Sequence, residues 1–252
     1  MNQFSKQNHA PQQCLVFAHR GANREAMENT RHAFDKALDY AVDGIETDVQ
    51  LSRDEIAVLW HDRFLDKIGL RDKRIDDFDF HELQRLINPE SANESIMSLQ
   101  DFLACYRNRC HLLIEVKNRH WEPITRHQSK IRHTLDLIGK NPESRIIVSS
   151  FNLASLDYAH QYNTNFPLIY NFETHQSLAD ARQLLHTHAF LDGLCLPIAT
   201  ADQTIVDLLH AHHKSAAVYT CNTDLEINKA LRLGVDILIS DLPQRALMLR
   251  DR

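Results

Sequence analysis

The sequence predicts an α/β protein: a closed (β/α)8 barrel of the TIM type, with a β-hairpin and a short insertion after its second strand. Short β-rich apolar runs alternate with amphipathic helical stretches from Cys14 almost to the C-terminus, the pattern of a parallel sheet built from βα units. Eight such units can be counted, enough to close the sheet on itself. The chain has 252 residues, close to the roughly 250 that such a barrel uses as one unit. We therefore expect a flexible N-terminal tail over residues 1–13 and a single barrel domain over 14–252, with an insertion at about 51–98.

The strands are expected at 14–18, 44–49, 111–116, 145–149, 167–170, 193–196, 216–220 and 236–239, each followed by a helical pattern. The apolar run 56–60 stands outside this count, because residues 52–55 are too few for a parallel crossover. It should fold back as an antiparallel hairpin. A turn centred on Arg53 and Asp54 places Leu51 opposite Ile56 and His61 opposite Glu46, with Asp48 on Glu46's face by the two-residue strand period. Residues 62–98 are polar and longer than a usual barrel connection, reading as a lid or small insertion with a short helix near 81–86. A helix over 99–106 then leads into the third barrel strand.

A composition of 43% hydrophobic and 25% charged residues is that of a globular protein able to bury a sizeable core. The formal charge of -6, with both signs interspersed, argues against nucleic acid or an anionic membrane as the main partner. A small anionic substrate stays open wherever positive charge gathers locally. Residues 1–13 lack an apolar signal segment, and no run approaches the ~20 apolar residues of a membrane span. We expect a cytoplasmic protein, monomer or homodimer, without stable membrane association. Cys14, Cys105, Cys110, Cys195 and Cys221 form an odd set with no close Cys-x-x-Cys pair, which predicts buried free thiols rather than disulfides or zinc.

In closed βα barrels, function sits at the C-terminal ends of the strands. Here the first strand runs into His19-Arg20-Gly21, the second carries Glu46-Thr47-Asp48, and the third ends in Glu115-Val116-Lys117. All face one mouth. Carboxylates in an otherwise apolar strand are costly to bury unless paired or bound to a cation, so Glu46, Asp48 and Glu115 together point to one shared hard metal ion. Magnesium is the first candidate and calcium the second; the absence of cysteine near these positions disfavours a soft metal. Singly, His-Arg-Gly is a common strand-end turn and Glu-x-Asp a common exposed edge. Their conjunction at consecutive strand ends is what carries the prediction.

The same residues make the chain resemble the glycerophosphodiester phosphodiesterases of the phospholipase-C-like barrel superfamily. The motifs are His19-Arg20-Gly21, Glu28-Asn29-Thr30, Gly44-Ile45-Glu46-Thr47-Asp48-Val49, Val58-Leu59-Trp60-His61-Asp62 and Glu115-Val116-Lys117. Later echoes at Ser149-Ser150-Phe151, Tyr219-Thr220-Cys221-Asn222 and Ser240-Asp241-Leu242-Pro243 extend the resemblance over residues 14–247. Met27 stands where the family has proline, Glu55 where the hairpin turn has glycine, and Tyr219 where tryptophan is common. Glu55 leads us to expect a turn without a positive φ.

The resemblance implies hydrolysis of deacylated phospholipids, such as glycerophosphocholine or glycerophosphoethanolamine, to sn-glycerol 3-phosphate and an alcohol. On that scheme Glu46, Asp48 and Glu115 hold the metal, and Arg20 and Lys117 add fixed positive charge. His19 and His61 exchange protons, as imidazoles can near neutral pH. Phe151 and Tyr219 are placed to line the pocket. Asn29 or Thr30 should cap the first helix, Asp62 could orient a histidine or Arg20, and Asp241 should fix the last strand-to-helix turn. A lysophospholipase D activity would favour an apolar rim or an export signal, and neither is seen. A non-catalytic module binding phosphorylated metabolites would be expected to have lost a histidine or an acid, and none is missing.

Overall fold

Strands that are apolar on both faces produce two concentric packing layers in the chain, which we describe from a computed structural model over residues 13–87, 93–139, 145–162 and 165–252. Residues 1–12 of the expected tail lie outside this description. The elements, in order, are β1 (Leu15–His19), α1 (Arg31–Asp39), β2 (Gly44–Leu51), β3 (Ala57–Leu59), α2 (Phe80–Leu86), α3 (Leu99–Tyr106), β4 (His111–Val116), α4 (Ile124–Ile138), β5 (Ile146–Ser150), α5 (Leu153–Tyr162), β6 (Leu168–Asn171), α6 (Leu178–Thr187), β7 (Gly193–Pro197), α7 (Gln203–Ala211), β8 (Ser215–Tyr219), α8 (Asp224–Leu233), β9 (Ile237–Ser240) and α9 (Pro243–Arg250). Eight strands pair in parallel, and β1 pairs with both β2 and β9, closing the expected (β/α)8 barrel. Among the described residues no helix is long and apolar enough to cross a membrane.

The two-residue strand period sorts side chains between the layers. Val16, Ala18, Ile45, Val49, Leu112, Ile114, Val148 and Leu194 point outward into the core shared with the helices. Phe17, Leu113, Ile147, Ile169, Cys195, Ala217, Ile237 and Ile239 fill the barrel interior. Gly44 completes this inner layer by its lack of a side chain: a Cβ there would lie 2.5 Å from the Phe17 ring. Two residues further along the same faces, the apolar filling gives way to polar groups. Phe17 leads to His19, Gly44 to Glu46 and Asp48, and Leu113 to Glu115 and Lys117.

The hairpin differs from expectation. Leu51 pairs with Ala57, not Ile56, and Val49 with Leu59, a slip of one residue. The turn takes up one more residue than expected. Ser52 N donates to Ile56 O at 3.0 Å, Glu55 N donates to Ser52 O at 3.1 Å, and Ile56 N donates to Ser52 Oγ at 3.0 Å. Glu55 itself adopts a left-handed φ of 61°, so a glutamate occupies a positive-φ position, contrary to the expectation from its residue type. His61 nevertheless reaches the mouth, because the chain leaves the ladder after Trp60. Gln50 Nε2 holds the departing segment by donating to Trp60 O at 2.8 Å and Asp62 O at 2.9 Å.

Val58 of β3 and Trp60, Leu65, Ile75, Leu83, Ile87 and Ile96 between β3 and α3 form a small apolar cluster of their own. The segment is thereby anchored to the back of the hairpin. The five cysteines are free, four of them buried.

Candidate active site

Strand register brings the polar strand ends together. His19 lies beside Glu46 across β1 and β2, and Asp48 beside Glu115 across β2 and β4. The His-Arg-Gly turn has its own logic. Arg20 and Gly21 both adopt positive φ, 56° and 82°, and a Cβ on Gly21 would lie 2.6 Å from the Ala33 backbone. This bend turns the Arg20 amide onto Glu46, donating to its Oε2 at 3.1 Å and its backbone O at 3.0 Å.

One oxygen from each of Glu46, Asp48 and Glu115 lies within 4.8 Å of the other two. All three residues are buried, at 3%, 0% and 8% exposure. Two cations are built in: Lys117 Nζ lies 2.8 Å from Asp48 Oδ1 and also contacts Glu115 Oε1, while Arg20 Nε lies 3.1 Å from Asp48 Oδ2. Asn29 Nδ2 donates to Asp48 Oδ2 at 2.9 Å, and Asn29 Oδ1 accepts from Thr47 Oγ1 at 2.8 Å. The charges are unevenly compensated. Burial works to raise Asp48, but Lys117 and Arg20 overcome it and hold this carboxyl well below its usual range. Glu46 is pushed well above its usual value by burial and by the Asp48 charge beside it. An all-oxygen set carrying an undercompensated charge fits a hard divalent cation.

Two imidazoles flank this cluster. His19 Nδ1 meets Asp241 Oδ1 at 2.6 Å, which leaves Nε2 turned to the acids, 3.9 Å from Glu46 Oε2. His61 Nδ1 meets Asp62 Oδ1 at 2.8 Å. Both carboxyls are held below their ordinary values. For Asp241, burial opposes the effect of His19, Asn23 and Arg24; for Asp62, the hydrogen bond to His61 leads and Lys67 adds to it.

A cavity open to solvent is lined by His19, Arg20, Glu46, His61, Glu115, Lys117, Phe151 and Tyr219. A concave site with convergent polar groups of this kind suits a small-molecule ligand. Of the nine residues singled out in the sequence, only Asp48 is not in the cavity wall; it sits behind the two glutamates, paired to Arg20 and Lys117. Phe151 and Tyr219 meet edge to face, centroids 5.8 Å apart, and Lys117 Nζ lies 5.9 Å from the Phe151 ring centre.

Thr30, one of the two residues expected there, caps α1, and Asn29 instead bonds Asp48 and Thr47. One residue departs from expectation. Asp241 was assigned to the last turn, yet it contacts His19 and also accepts from Asn23 at 2.7 Å and Asn222 at 2.8 Å. The signal was present: Ile237 and Ile239 fill the barrel, and the same alternation brings Asp241 to the mouth next to β1. Asn171 and Cys195 in the cavity wall follow the same rule.

Comparison with known proteins agrees with this architecture. The model of the glycerophosphoryl diester phosphodiesterase family matches residues 19–245. A glycerophosphodiester phosphodiesterase of Bacillus altitudinis is 28% identical over 251 residues, spanning 94% of this chain and 98% of that one. A structure from Silicibacter pomeroyi described as a glycerophosphoryl diester phosphodiesterase superposes with a TM-score of 0.84 at 19% identity, covering 98% of this chain and 95% of that one. An Oleispira antarctica phosphodiesterase in complex with the product sn-glycerol-3-phosphate superposes with a TM-score of 0.81 at 24% identity, covering 95% and 98%. At these identities the two structures speak to the fold alone, whereas the family match extends over nearly the whole sequence. The chain therefore belongs to the glycerophosphoryl diester phosphodiesterase family, an enzyme of the phosphodiester-hydrolysing class.

Proposed function

We infer that the chain hydrolyses glycerophosphodiesters, the deacylated phospholipids, to sn-glycerol 3-phosphate and an alcohol. The observation that carries this reading is the pair of imidazoles, each with a carboxylate on Nδ1, set around one three-acid cluster in a single cavity. The Oleispira antarctica protein of the same fold, bound to sn-glycerol-3-phosphate, supports it.

Glu46, Asp48 and Glu115 would hold one divalent cation, Mg2+ before Ca2+. Such an ion supplies charge neutralisation for a phosphate oxygen and for substrate hydroxyls. Arg20 and Lys117 place fixed positive charge where negative charge grows on the phosphoryl oxygens. One histidine takes the proton from the glycerol 2-hydroxyl as its oxygen bonds to phosphorus. The other gives a proton to the alcohol oxygen as its bond to phosphorus breaks, leaving a cyclic phosphate that water opens with the proton roles reversed. Asp241 and Asp62 fix the tautomer by engaging Nδ1, so that Nε2 of each ring does the transfer. Phe151 and Tyr219 wall the pocket.

The test is a panel of glycerophosphodiesters assayed for glycerol 3-phosphate, with lysophosphatidylcholine as the competing substrate. We expect glycerol 3-phosphate from the panel and little turnover of the lysolipid. The reverse order would reassign the chain as a lysophospholipase D, and binding without turnover would make it a binding module.

A further inference from the structure

The mouth of the cavity carries an asymmetry of charge that the hydrolytic chemistry does not use. Arg20, Arg24, Lys67 and Lys117 each have a carboxylate close by: Glu28 at 2.9 Å, Asp241 at 2.9 Å, Glu28 at 2.6 Å and Asp48 at 2.8 Å. Arg63 and Arg119 differ, since among the described residues neither has a carboxylate within ion-pair distance. Instead they converge on Trp121, with the Arg63 guanidinium 3.9 Å from the indole centre and that of Arg119 6.0 Å away. Arg63 also lies 4.6 Å from the Phe64 ring. Arg119 Nη2 donates to the His61 carbonyl at 2.9 Å, which ties the group to the cavity wall, while its buried Nε has no hydrogen-bond partner. Trp121, at 36% exposure, presents the assembly to solvent.

Two adjacent guanidiniums attract an anion to the space between them; the nearby Glu122 carboxylate is engaged by the Arg119 backbone amide and by Lys130. With the glycerol end at the deep acids, an alcohol portion that extends past His61 would reach Arg119 and, beyond it, Arg63 and Trp121. We propose that Arg63 and Arg119, braced on Trp121, form the outer subsite for the alcohol portion and select glycerophosphodiesters whose alcohol bears a further anionic group, such as a phosphate ester. This rests on the function inferred above. Guanidiniums offer paired donors to phosphate oxygens. The indole cannot serve a quaternary ammonium as an aromatic cage would, because guanidinium charge already covers it. Choline diesters should accordingly be the poorer substrates.

The test compares kcat/KM for glycerophosphocholine, glycerophosphoglycerol and its terminally phosphorylated form, in the metal-loaded protein and in Arg63→Gln, Arg63→Lys and Arg63→Glu. We expect the phosphorylated diester to lead and the choline diester to trail. The ratio between them should fall about tenfold in Arg63→Gln, the scale of one charge-assisted hydrogen bond. It should be largely retained in Arg63→Lys, and decline with added salt in the unmodified protein. An unchanged ratio in Arg63→Gln, an equal loss on all three diesters, or a preference for choline overturns the subsite while leaving hydrolysis intact. Release of glycerol 3-phosphate from none of the three overturns the proposed function, and the subsite with it.

Discussion

On the proposed mechanism His19 and His61 share the proton transfers, yet they are held from unlike foundations. His19 ends a barrel strand, and its partner Asp241 directly follows the strand beside it. That carboxylate is 12% exposed and also engages Asn23, Asn222 and Arg24. His61 rides on a segment leaving the hairpin, and its partner Asp62 is the next residue, 43% exposed and otherwise bound to Lys67. One imidazole is oriented by the closed barrel, the other by a local contact that the insertion reinforces. Position in the fold, rather than residue type, thus decides how firmly each imidazole is held.

The largest expected effect treats the two sides alike. His19→Ala and His61→Ala should each lower turnover by ~10²-fold or more with the fold retained, checked by steady-state rates and thermal denaturation. A variant that stays active removes that histidine from the proton path. The orienting carboxylates should separate the sides. Asp241→Asn should cost about 10-fold to 100-fold in kcat, the worth of a buried charge-assisted hydrogen bond. Asp62→Asn, at an exposed pair, should cost no more than about fivefold. Equal losses would break the comparison.

The pH dependence of stability sharpens it further. Asp241 has a depressed folded-state pKa, so its pairing contributes in full above the ordinary aspartate value of ~3.9 and is lost as pH falls below that value. Urea midpoints of the unmodified protein and Asp241→Asn should differ at neutral pH and converge only under acid conditions. The smallest effect belongs to Lys67, which joins the insertion to Glu28 and Asp62. Lys67→Ala should change stability by less than about 1 kcal/mol.

The eight strands and the acidic strand ends were legible because the period of two shows directly which residues follow the apolar filling inward. The His61 register was not. It depended on Glu55 taking a left-handed φ, which its residue type gives no reason to expect. Asp241 was hidden differently. It lies 222 residues from His19 in sequence, and the two become neighbours only when β9 closes against β1. Asn29 was obscured by Thr30, since either can cap a helix and only the structure shows which one does. Arg63 and Arg119 carry no motif, and what distinguishes them, guanidiniums without an ion-pair partner among the described residues, is a property of the assembled structure.

The central claim is that Glu46, Asp48 and Glu115 form one metal site that the chemistry requires. It is tested most directly by stripping the protein with chelator, titrating Mg2+ and Ca2+ by calorimetry, and following glycerol 3-phosphate release before and after, in parallel with Glu115→Gln. The account predicts that stripped protein is inactive, that one equivalent of metal restores turnover, and that Glu115→Gln binds the ion much more weakly. Full turnover by chelated protein, or undiminished metal binding by Glu115→Gln, would contradict it.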